Sequence, residues 1–431
     1  MEENRGKSRK QEKQKSRRMV FGILAVGVVI LLAAGTAGWL HRQVREDREA
    51  AARVADLQRE AARSARTGPG GETGPASEVD VPTGSAEEEN SGPEDGAEKN
   101  AIVINSETGS DREAQNDGSE GDTERLLSFA GDIYLSDHVL NAYRNAGGIG
   151  GILDEGLRNA IAASDLFLAN EEFPFSDGGT QAQDKQFTFR LPTGDVHIMK
   201  EIGLSAVTLA NNHVLDYGEA GLLDTLKTLR EAGIPFTGAG ANLKEAKNLL
   251  ILDAGEKKIG VIAASRVFPE GGWAAGASHP GVFSAYDPAP VAEAIREARS
   301  RCDFLIVSVH WGLERHTEPE KYQRDNGHAY IDAGADLVIG SHPHVLQGIE
   351  FYQGKPIFYS MGNFIFGSSI PATMLGQVIF SPDGTVSYRV IPASSLHGFT
   401  QKKENAADFY ESLRALSPGV MIGDDGSVAP Q

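Results

Sequence analysis

Between about Leu126 and His397 the sequence alternates short apolar runs with amphipathic helical patterns, and this alternation limits the chain to a layered α/β fold. The apolar runs end in polar residues, as in "LLSFAGD", "DLFLANEE", "AVTLANNH", "KIGVIAAS", "FLIVSVHWG", "ADLVIGSHPH" and "IFYSMGN". Helical patterns such as "GILDEGLRNAIAAS" and "GLLDTLKTLREAG" lie between them. Apolar strands that are buried on both faces and separated by helices indicate sheets covered by helices.

Polar side chains collect at the carboxyl ends of these predicted strands. In such sheets the connecting loops converge beyond the strand ends, and ligands bind there. The polar residues at these ends are Asp132, Glu171, Glu172, Asn211, Asn212, His213, His310, His342 and His344. Oxygen and imidazole donors on separate loops, without a thiolate, suit Mn, Fe, Zn or Mg better than a structural cysteine-zinc site. The sequence therefore predicts a divalent metal centre.

Two of these positions also have a plainer interpretation. Asp132 follows "SFAG" and could cap the next helix, whereas Gly131 before it allows the close approach that a ligand loop needs. Asp216 and Gly218 indicate a turn into the following helix, although Asp216 could also orient His213.

The first forty residues combine a basic segment with an apolar one. Residues 1–18 hold eight Lys/Arg and three Glu, and residues 19–40 carry no charge. Twenty-two residues at about 1.5 Å each span about 33 Å, enough for a bilayer core of about 30 Å. Residues 19–40 are a membrane helix or a signal peptide, and we expect an uncleaved anchor. The basic flank predicts a cytoplasmic N-terminus and places the chain after Leu40 outside the cell membrane.

Two segments of biased composition follow the predicted anchor. Residues 41–67 are rich in Ala, Glu and Arg and predict a charged helical stalk. Residues 68–125 hold sixteen Asp/Glu and three Lys/Arg, so we expect a disordered acidic linker. Its net charge of −13 accounts for most of the chain's −19, and no nucleic-acid partner is indicated. The single cysteine, Cys302, excludes an intrachain disulfide.

A series of specific motifs runs through residues 126–370: "GDIYLS", "ANEEFPF", "FTFRLP", "LANNHVLDYG", "TGAGANLKEA", "VHWGLE" and "GADLVIGSHPHVLQGIEFYQGKPIFYSMGNFIF". In order and wording they closely resemble the CapA family of capsule-synthesis proteins, which is associated with poly-γ-glutamate. The resemblance implies the calcineurin-like metallophosphoesterase superfamily. Residues 126–400 would then form a four-layered α/β sandwich, preceded by one transmembrane helix and followed by a C-terminal tail, 401–431.

The same resemblance implies a site with two divalent metal ions. The implied roles are Asp132 and His344 as ligands of the first ion, Asn212, His310 and His342 as ligands of the second, Glu172 as the bridging carboxylate, and His213 as the general acid. Two positions depart from the superfamily pattern. Its Asp-x-His is Asp132-Ile133-Tyr134 here, so one ligand of the first ion is missing, and the bridge is Glu instead of Asp.

Two functions from different classes follow from the resemblance. The first is a membrane-anchored, metal-dependent hydrolase that acts on a cell-envelope or capsule substrate in poly-γ-glutamate synthesis, export or anchoring. The second is a non-catalytic accessory subunit that holds capsule synthase subunits or the nascent anionic polymer at the membrane. A chain without a phosphate-binding loop of the Walker type is not expected to drive ligation with ATP.

Weaker candidates lie in the same family-like motifs. The residues that could line a substrate pocket are Arg190, Asn211, Trp311, Glu314 and Asn363. The tail contains one helical stretch, "AADFYESLRALS", and its last residues, "GDDGSVAPQ", are expected to be disordered.

Overall fold

The computed structural model describes residues 102–103, 123–183, 185–269 and 271–431, which all belong to one compact unit, Gly71–Gln431. The predicted basic tail 1–18, anchor 19–40 and stalk 41–67 lie outside these residues. Within the described ranges, no helix combines the length and the apolar character that crossing a bilayer requires.

The strands and helices alternate as the sequence pattern predicts. The strands are β1 Ile102–Val103, β2 Arg125–Ile133, β3 Leu166–Glu171, β4 Ala206–Thr208, β5 Phe236–Thr237, β6 Ala239–Gly240, β7 Leu250–Ala254, β8 Lys257–Ser265, β9 Gly281–Val282, β10 Phe304–His310, β11 Leu337–Ser341, β12 Ile349–Tyr352, β13 Lys355–Phe358, β14 Asn363–Ile365, β15 Ser369–Phe380, β16 Val386–Leu396, β17 Phe399–Lys402, β18 Val420–Ile422 and β19 Ser427–Pro430. The helices are α1 Asp137–Ala146, α2 Glu155–Ala162, α3 His197–Ile202, α4 Gly218–Ala232, α5 Leu243–Ala246, α6 Pro288–Ala298, α7 Lys321–Ala333 and α8 Ala407–Leu416.

Most of the described strands form two mixed sheets. One sheet has the order β1-β7-β8-β10-β11-β13-β12, and the other has the order β18-β19-β16-β15-β2-β3-β4-β5, with β14 on β2 and β17 on β16. Strands β8, β10, β11 and β13 run parallel, as do β14, β2, β3, β4 and β5. The carboxyl ends of each parallel set therefore lie at one edge of its sheet.

Three apolar clusters hold these elements together. One joins the second sheet to α1–α4, a second is built by both sheets and α8, and a third joins the first sheet to α6 and α7. Apolar side chains thus fill the space between the two sheets and cover the outer face of each one. This arrangement confirms the mixed α/β architecture that the alternating pattern predicts.

Helix ends coincide with capping residues in the sequence. The side chain of Asp154 accepts a hydrogen bond from the backbone N–H of Leu157 at the start of α2, 2.9 Å away. Helices α3, α4 and α7 end at Gly203, Gly233 and Gly334, each in the left-handed conformation that glycine adopts without steric cost.

Two expectations of disorder are wrong for residues that the structure describes. Ile102 and Val103, within the acidic linker, pair in parallel with β7. In the tail, β18 and β19 form an antiparallel hairpin, and β19 pairs with β16. The side chains of Val420, Ile422 and Val428 are buried in the apolar cluster between the sheets. The folded domain therefore continues through the predicted tail.

Candidate metal centre

The strand ends bring all six predicted metal ligands to one place. Asp132 at the end of β2 is in register with Asn170 on β3, and His310 at the end of β10 is in register with Ser341 on β11. Gly131 lets β2 approach the neighbouring loop, because a Cβ at this position would lie 1.8 Å from the carbonyl oxygen of Gly362. Gly131 therefore allows β2 to pack closely against the backbone of Gly362.

The loop that carries His342 and His344 has an unusual backbone conformation. Their φ angles are 97° and 58°, in a region that side-chain-bearing residues seldom occupy. The backbone N–H of His342 donates to Oδ2 of Asp132 at 3.2 Å, and Nδ1 of His344 lies 2.8 Å from Oδ1 of Asn363. Backbone strain at paired polar residues is common at binding sites, where surrounding contacts maintain it.

The donor atoms fall into two overlapping groups that share Glu172. One group is Glu172, His342 and His344, the other is Asp132, Glu172 and His310, and the donor atoms within each lie within 4.8 Å of one another. Oδ1 of Asn212 lies 2.7 Å from Nε2 of His310. Nδ1 of His344 also lies 3.6 Å from Oδ2 of Asp132, the pair that the resemblance assigns to the first ion. Glu172 belongs to both groups, and its role as a bridging carboxylate stays a prediction.

Unpaired polar atoms indicate that a ligand belongs at this position. Both carboxylate oxygens of Glu172 and Nδ1 of His342 are buried without a hydrogen-bond partner among the described residues. The nearest ring nitrogen is Nε2 of His310, which lies 3.3 Å from Oε1 of Glu172. Because buried polar atoms are nearly always paired, the donor set fits a divalent cation.

The charges of the cluster are strongly coupled. Burial raises the pKa of Glu172, and Asp132 raises it further. Burial alone would lower the pKa of His344, but Glu172 and Asp132 raise it to about 10. Burial, together with His310 and His344, holds the pKa of His342 well below its usual range. A protonated His344 thus supplies the positive charge that the carboxylates require in this structure.

His213 lies beside the cluster in a second, hydrogen-bonded group. Its Nδ1 is 2.7 Å from Oδ2 of Asp216, which confirms that Asp216 orients the imidazole. Lys185 contacts Oδ1 of Asp216 and the carbonyl oxygen of Asn212, and its Nζ lies 3.0 Å from Nδ1 of His213. Burial and the charge of Lys185 hold the pKa of His213 well below its usual range. The general-acid role of His213 stays a prediction.

Sequence reasoning missed Asn170 and Lys185. Nδ2 of Asn170 donates to Oδ1 of Asp132 at 2.8 Å and fixes that carboxylate. Asn170 lies on the same face of β3 as Leu166 and Leu168. A polar residue on this apolar face could have identified Asn170 from the sequence. Lys185 lies in a loop without periodicity, so the sequence contained no comparable signal for it.

Two of the five weaker candidates have structural contacts instead of a free surface. Trp311 is fully buried, and its indole N–H donates to the carbonyl oxygen of Tyr359 at 2.8 Å. Asn211 is also fully buried, and its Oδ1 accepts from the backbone N–H groups of His213 and Val214. Neither side chain reaches the surface in this structure, and a substrate-binding role for the two residues stays a prediction.

The other three candidates remain near the surface. Asn363 contacts His344, as described above. Glu314 is half-buried, and its charge lies close to His344 and to Lys185, whose pKa is lowered by burial. Arg190 is exposed, with its guanidinium 4.0 Å from the ring centroid of Tyr217, and contacts none of the metal-ligand candidates.

Tyr134, at the position of the missing histidine, belongs to an aromatic stack. Its ring is 4.0 Å from that of Phe189, and Phe189 in turn stacks at 4.0 Å on the imidazole of His213. Phe366 lies edge-on to Tyr134 and is 5.1 Å from the ring of His344. Tyr134, Phe189 and Phe366 thus form an aromatic wall beside the donor set, at the position where the superfamily has a further histidine ligand.

A family model and similar known proteins assign the chain to the same family. Residues 126–368 match the model of the bacterial capsule synthesis protein PGA_cap family. The chain is 34% identical over 272 residues to the PGA biosynthesis protein CapA of Bacillus subtilis, covering 62% of this chain and 70% of that one. It is 30% identical over 310 residues to the capsule biosynthesis protein CapA of Bacillus anthracis, covering 69% and 74%.

Among solved structures, the sulfate thiohydrolase SoxB of Thermus thermophilus is similar at a TM-score of 0.36 and 14% identity, over 69% of this chain and 61% of that one. A likeness of this strength carries no functional weight. The family match spans more than half of the chain and contains the five clustered carboxylate and histidine candidates as well as Asn212, which contacts His310. The chain therefore belongs to the bacterial capsule synthesis protein PGA_cap family, that of the CapA proteins.

Proposed function

We propose that this protein is a membrane-anchored, metal-dependent hydrolase of the calcineurin-like metallophosphoesterase type that acts in the synthesis, export or anchoring of poly-γ-glutamate at the cell surface. Family membership and the names of the two CapA relatives support a role in capsule synthesis. The predicted anchor at residues 19–40 supports the location, because it places the folded domain on the side where a surface polymer accumulates.

The observation that carries the hydrolase proposal is the shared, unpartnered carboxylate of Glu172. A fully buried carboxylate with two free oxygens between imidazoles is costly unless a cation joins it. The two donor groups that meet at Glu172 suit a pair of divalent ions, of which Mn, Fe, Zn and Mg are the candidates.

The residues around the donors suggest how the reaction would proceed. When bound, the two ions supply Lewis acidity and a nucleophilic water at neutral pH. Asn170 and Asn363 hold Asp132 and His344 in fixed orientations, so the donor set is preorganised. Asp216 orients His213 for proton transfer to or from the reacting group. The rings of Tyr134, Phe189 and Phe366 line one side of the donor set.

The bond that is cleaved belongs to one of two chemical classes. Phosphoester hydrolysis follows from the superfamily resemblance, and amide hydrolysis follows from the polymer, because polarisation of a carbonyl uses the same Lewis acidity. A site outside the membrane favours envelope or capsule substrates over intracellular nucleotides.

One observation favours a second candidate, the non-catalytic accessory subunit. Tyr134 stands where the superfamily has a histidine ligand of the first ion, and its ring is engaged in the aromatic stack. Such a protein would hold the polymer or capsule synthase subunits at the membrane.

Metal content distinguishes the two candidates. The full-length chain, purified in detergent without chelator, is analysed by plasma mass spectrometry beside a His342→Ala/His344→Ala variant. The control is His138→Ala/His197→Ala, which removes two exposed histidines. We expect about two equivalents of metal in the parent and the control and a large loss in the first variant.

A parent that stays metal-free after incubation with Mn, Fe and Zn would overturn the hydrolase proposal. If metal is bound, turnover of phosphodiesters and of poly-γ-glutamate by the parent and by His213→Ala then identifies the class of bond.

A further inference from the structure

A cavity separate from the metal centre lies between α7, β12 and the turn that follows α8. Its volume is about 320 Å³, within the range of small-molecule sites, and none of the six metal-ligand candidates lines it. Its polar lining comes from Arg324, Glu350 and Tyr359, and its apolar lining includes Ile349, Phe351 and Leu416. The cavity thus combines one cation and one anion with apolar walls.

Arg324 lines the cavity, and its guanidinium is engaged in two long ion pairs. Its guanidinium approaches Glu350 and Glu318 only to 3.9 Å in each case, which is longer than a hydrogen bond. It lies 5.4 Å from the ring centroid of Tyr359, which limits its orientation. Because a guanidinium carries five donors in a planar fork, Arg324 can bind a carboxylate through two parallel hydrogen bonds.

Glu350 is held in place and keeps acceptor capacity. Oε2 accepts the hydroxyl hydrogen of Tyr359 at 2.5 Å, and Oε1 lies 2.8 Å from Nε2 of His328. Burial and this contact raise the pKa of Tyr359, so the phenol stays a donor. Each carboxylate oxygen still has one lone pair free, so Glu350 can accept from an ammonium group.

We propose that this cavity binds a free amino-acid head, in which an ammonium and a carboxylate are attached to the same carbon. The ligand carboxylate would pair with Arg324 and the ammonium with Glu350. These two protein groups are 3.9 Å apart, so they suit two opposite charges on a single carbon. The apolar lining would contact the methylene groups of the ligand side chain.

The choice of amino acid rests on the proposed role in poly-γ-glutamate synthesis, whereas the head-group site does not. In a γ-linked glutamate chain every interior nitrogen is in an amide, and only the amino end has an ammonium beside its α-carboxylate. The cavity would therefore bind free glutamate or the amino end of the polymer, and the interior of the chain would be excluded.

Isothermal titration of the full-length chain in detergent tests this site. The probes are glutamate, γ-glutamylglutamate, N-acetylglutamate and glutarate, and the last two lack the ammonium. The variant is Arg324→Ala, and the control is Lys321→Ala, which lies in the same helix with an exposed side chain. We expect the first two probes to bind, both to weaken about tenfold or more in Arg324→Ala, and neither to change in Lys321→Ala.

Each outcome bears on the proposal. Preference for γ-glutamylglutamate over glutamate identifies the polymer end as the ligand, and the reverse identifies the free amino acid. Absence of binding at millimolar probe, equal binding of N-acetylglutamate, or full affinity in a folded Arg324→Ala would overturn the site. The His342→Ala/His344→Ala variant should keep the binding, so failure of the metal proposal and failure of this one are distinguishable.

Discussion

Glu172 is a buried carboxylate whose negative charge is not fully balanced by neighbouring protein groups. It is completely buried, its oxygens lack hydrogen-bond partners among the described residues, and Asp132 adds a second negative charge nearby. Burial of such a carboxylate destabilises the folded domain and favours the binding of a cation beside it. Glu172 therefore links the stability of the domain to the cation proposed for this site.

Substitution of Glu172 by Gln measures this link. In chelator, the free energy of unfolding of Glu172→Gln should exceed that of the parent by about 1–3 kcal/mol at pH 8. Since the folded-state pKa of Glu172 is raised, the parent loses stability as pH rises through that pKa, and the difference should shrink toward pH 5. Urea denaturation at both pH values provides the measurement. A variant less stable than the parent at pH 8 would contradict this account.

Gly131 offers a test of the close packing behind the cluster. Gly131→Ala would place a methyl group 1.8 Å from the carbonyl oxygen of Gly362, and backbone must move to relieve the contact. We expect a loss of about 3 kcal/mol or more in the free energy of unfolding. Gly194→Ala, whose added Cβ would meet no atom within 4 Å, should leave stability nearly unchanged. Similar urea midpoints for the two variants would contradict the prediction.

The sequence identified the clustered donors because each one terminates a recognisable apolar strand. It could not identify contacts that depend on how distant loops meet. Lys185 and Asn212 come together through a loop with no periodic pattern, and the fully buried position of Trp311 depends on its packing against Tyr359. Local pattern thus located the site, whereas tertiary contact decided which neighbouring residues support it.

The C-terminal hairpin of β18 and β19 shows the same limit for a whole element. Its sequence is short, rich in Gly and Asp, and reads as disordered when taken alone. The hairpin forms because β19 extends the sheet at β16 and three aliphatic side chains enter the core. Hydrogen bonding to the edge of the sheet thus stabilises a strand that the local sequence alone does not favour.

Removal of residues 419–431 should therefore destabilise the domain. The burial of Val420, Ile422 and Val428 is worth about 4 kcal/mol or more, at about 1.5 kcal/mol or more for each side chain. Met421 in the same hairpin is 54% exposed, so Met421→Ala should change stability by less than about 0.5 kcal/mol. Thermal and urea unfolding of both variants provide the comparison, and a truncated chain as stable as the parent would show that the hairpin contributes nothing.

For the molecule as a whole, the proposed location depends on residues 1–40. The full-length chain should sediment with membranes and resist carbonate extraction, and a variant lacking residues 1–40 should not, because the apolar segment 19–40 is removed. Protease added to intact cells should digest the folded domain of the full-length chain. Protection of that domain in intact cells, with digestion only after lysis, would contradict the extracellular orientation.

The partners of Asp132 lie far along the chain, and this has a consequence for biogenesis. Its carboxylate meets the backbone of His342, 210 residues later, and its own N–H donates to Gly362. A polypeptide that emerges from the ribosome or a translocation pore N-terminus first therefore carries a half-built centre until the last third of the domain has appeared. Contacts of such separation form late and slowly, so the donor set is completed only at the end of folding.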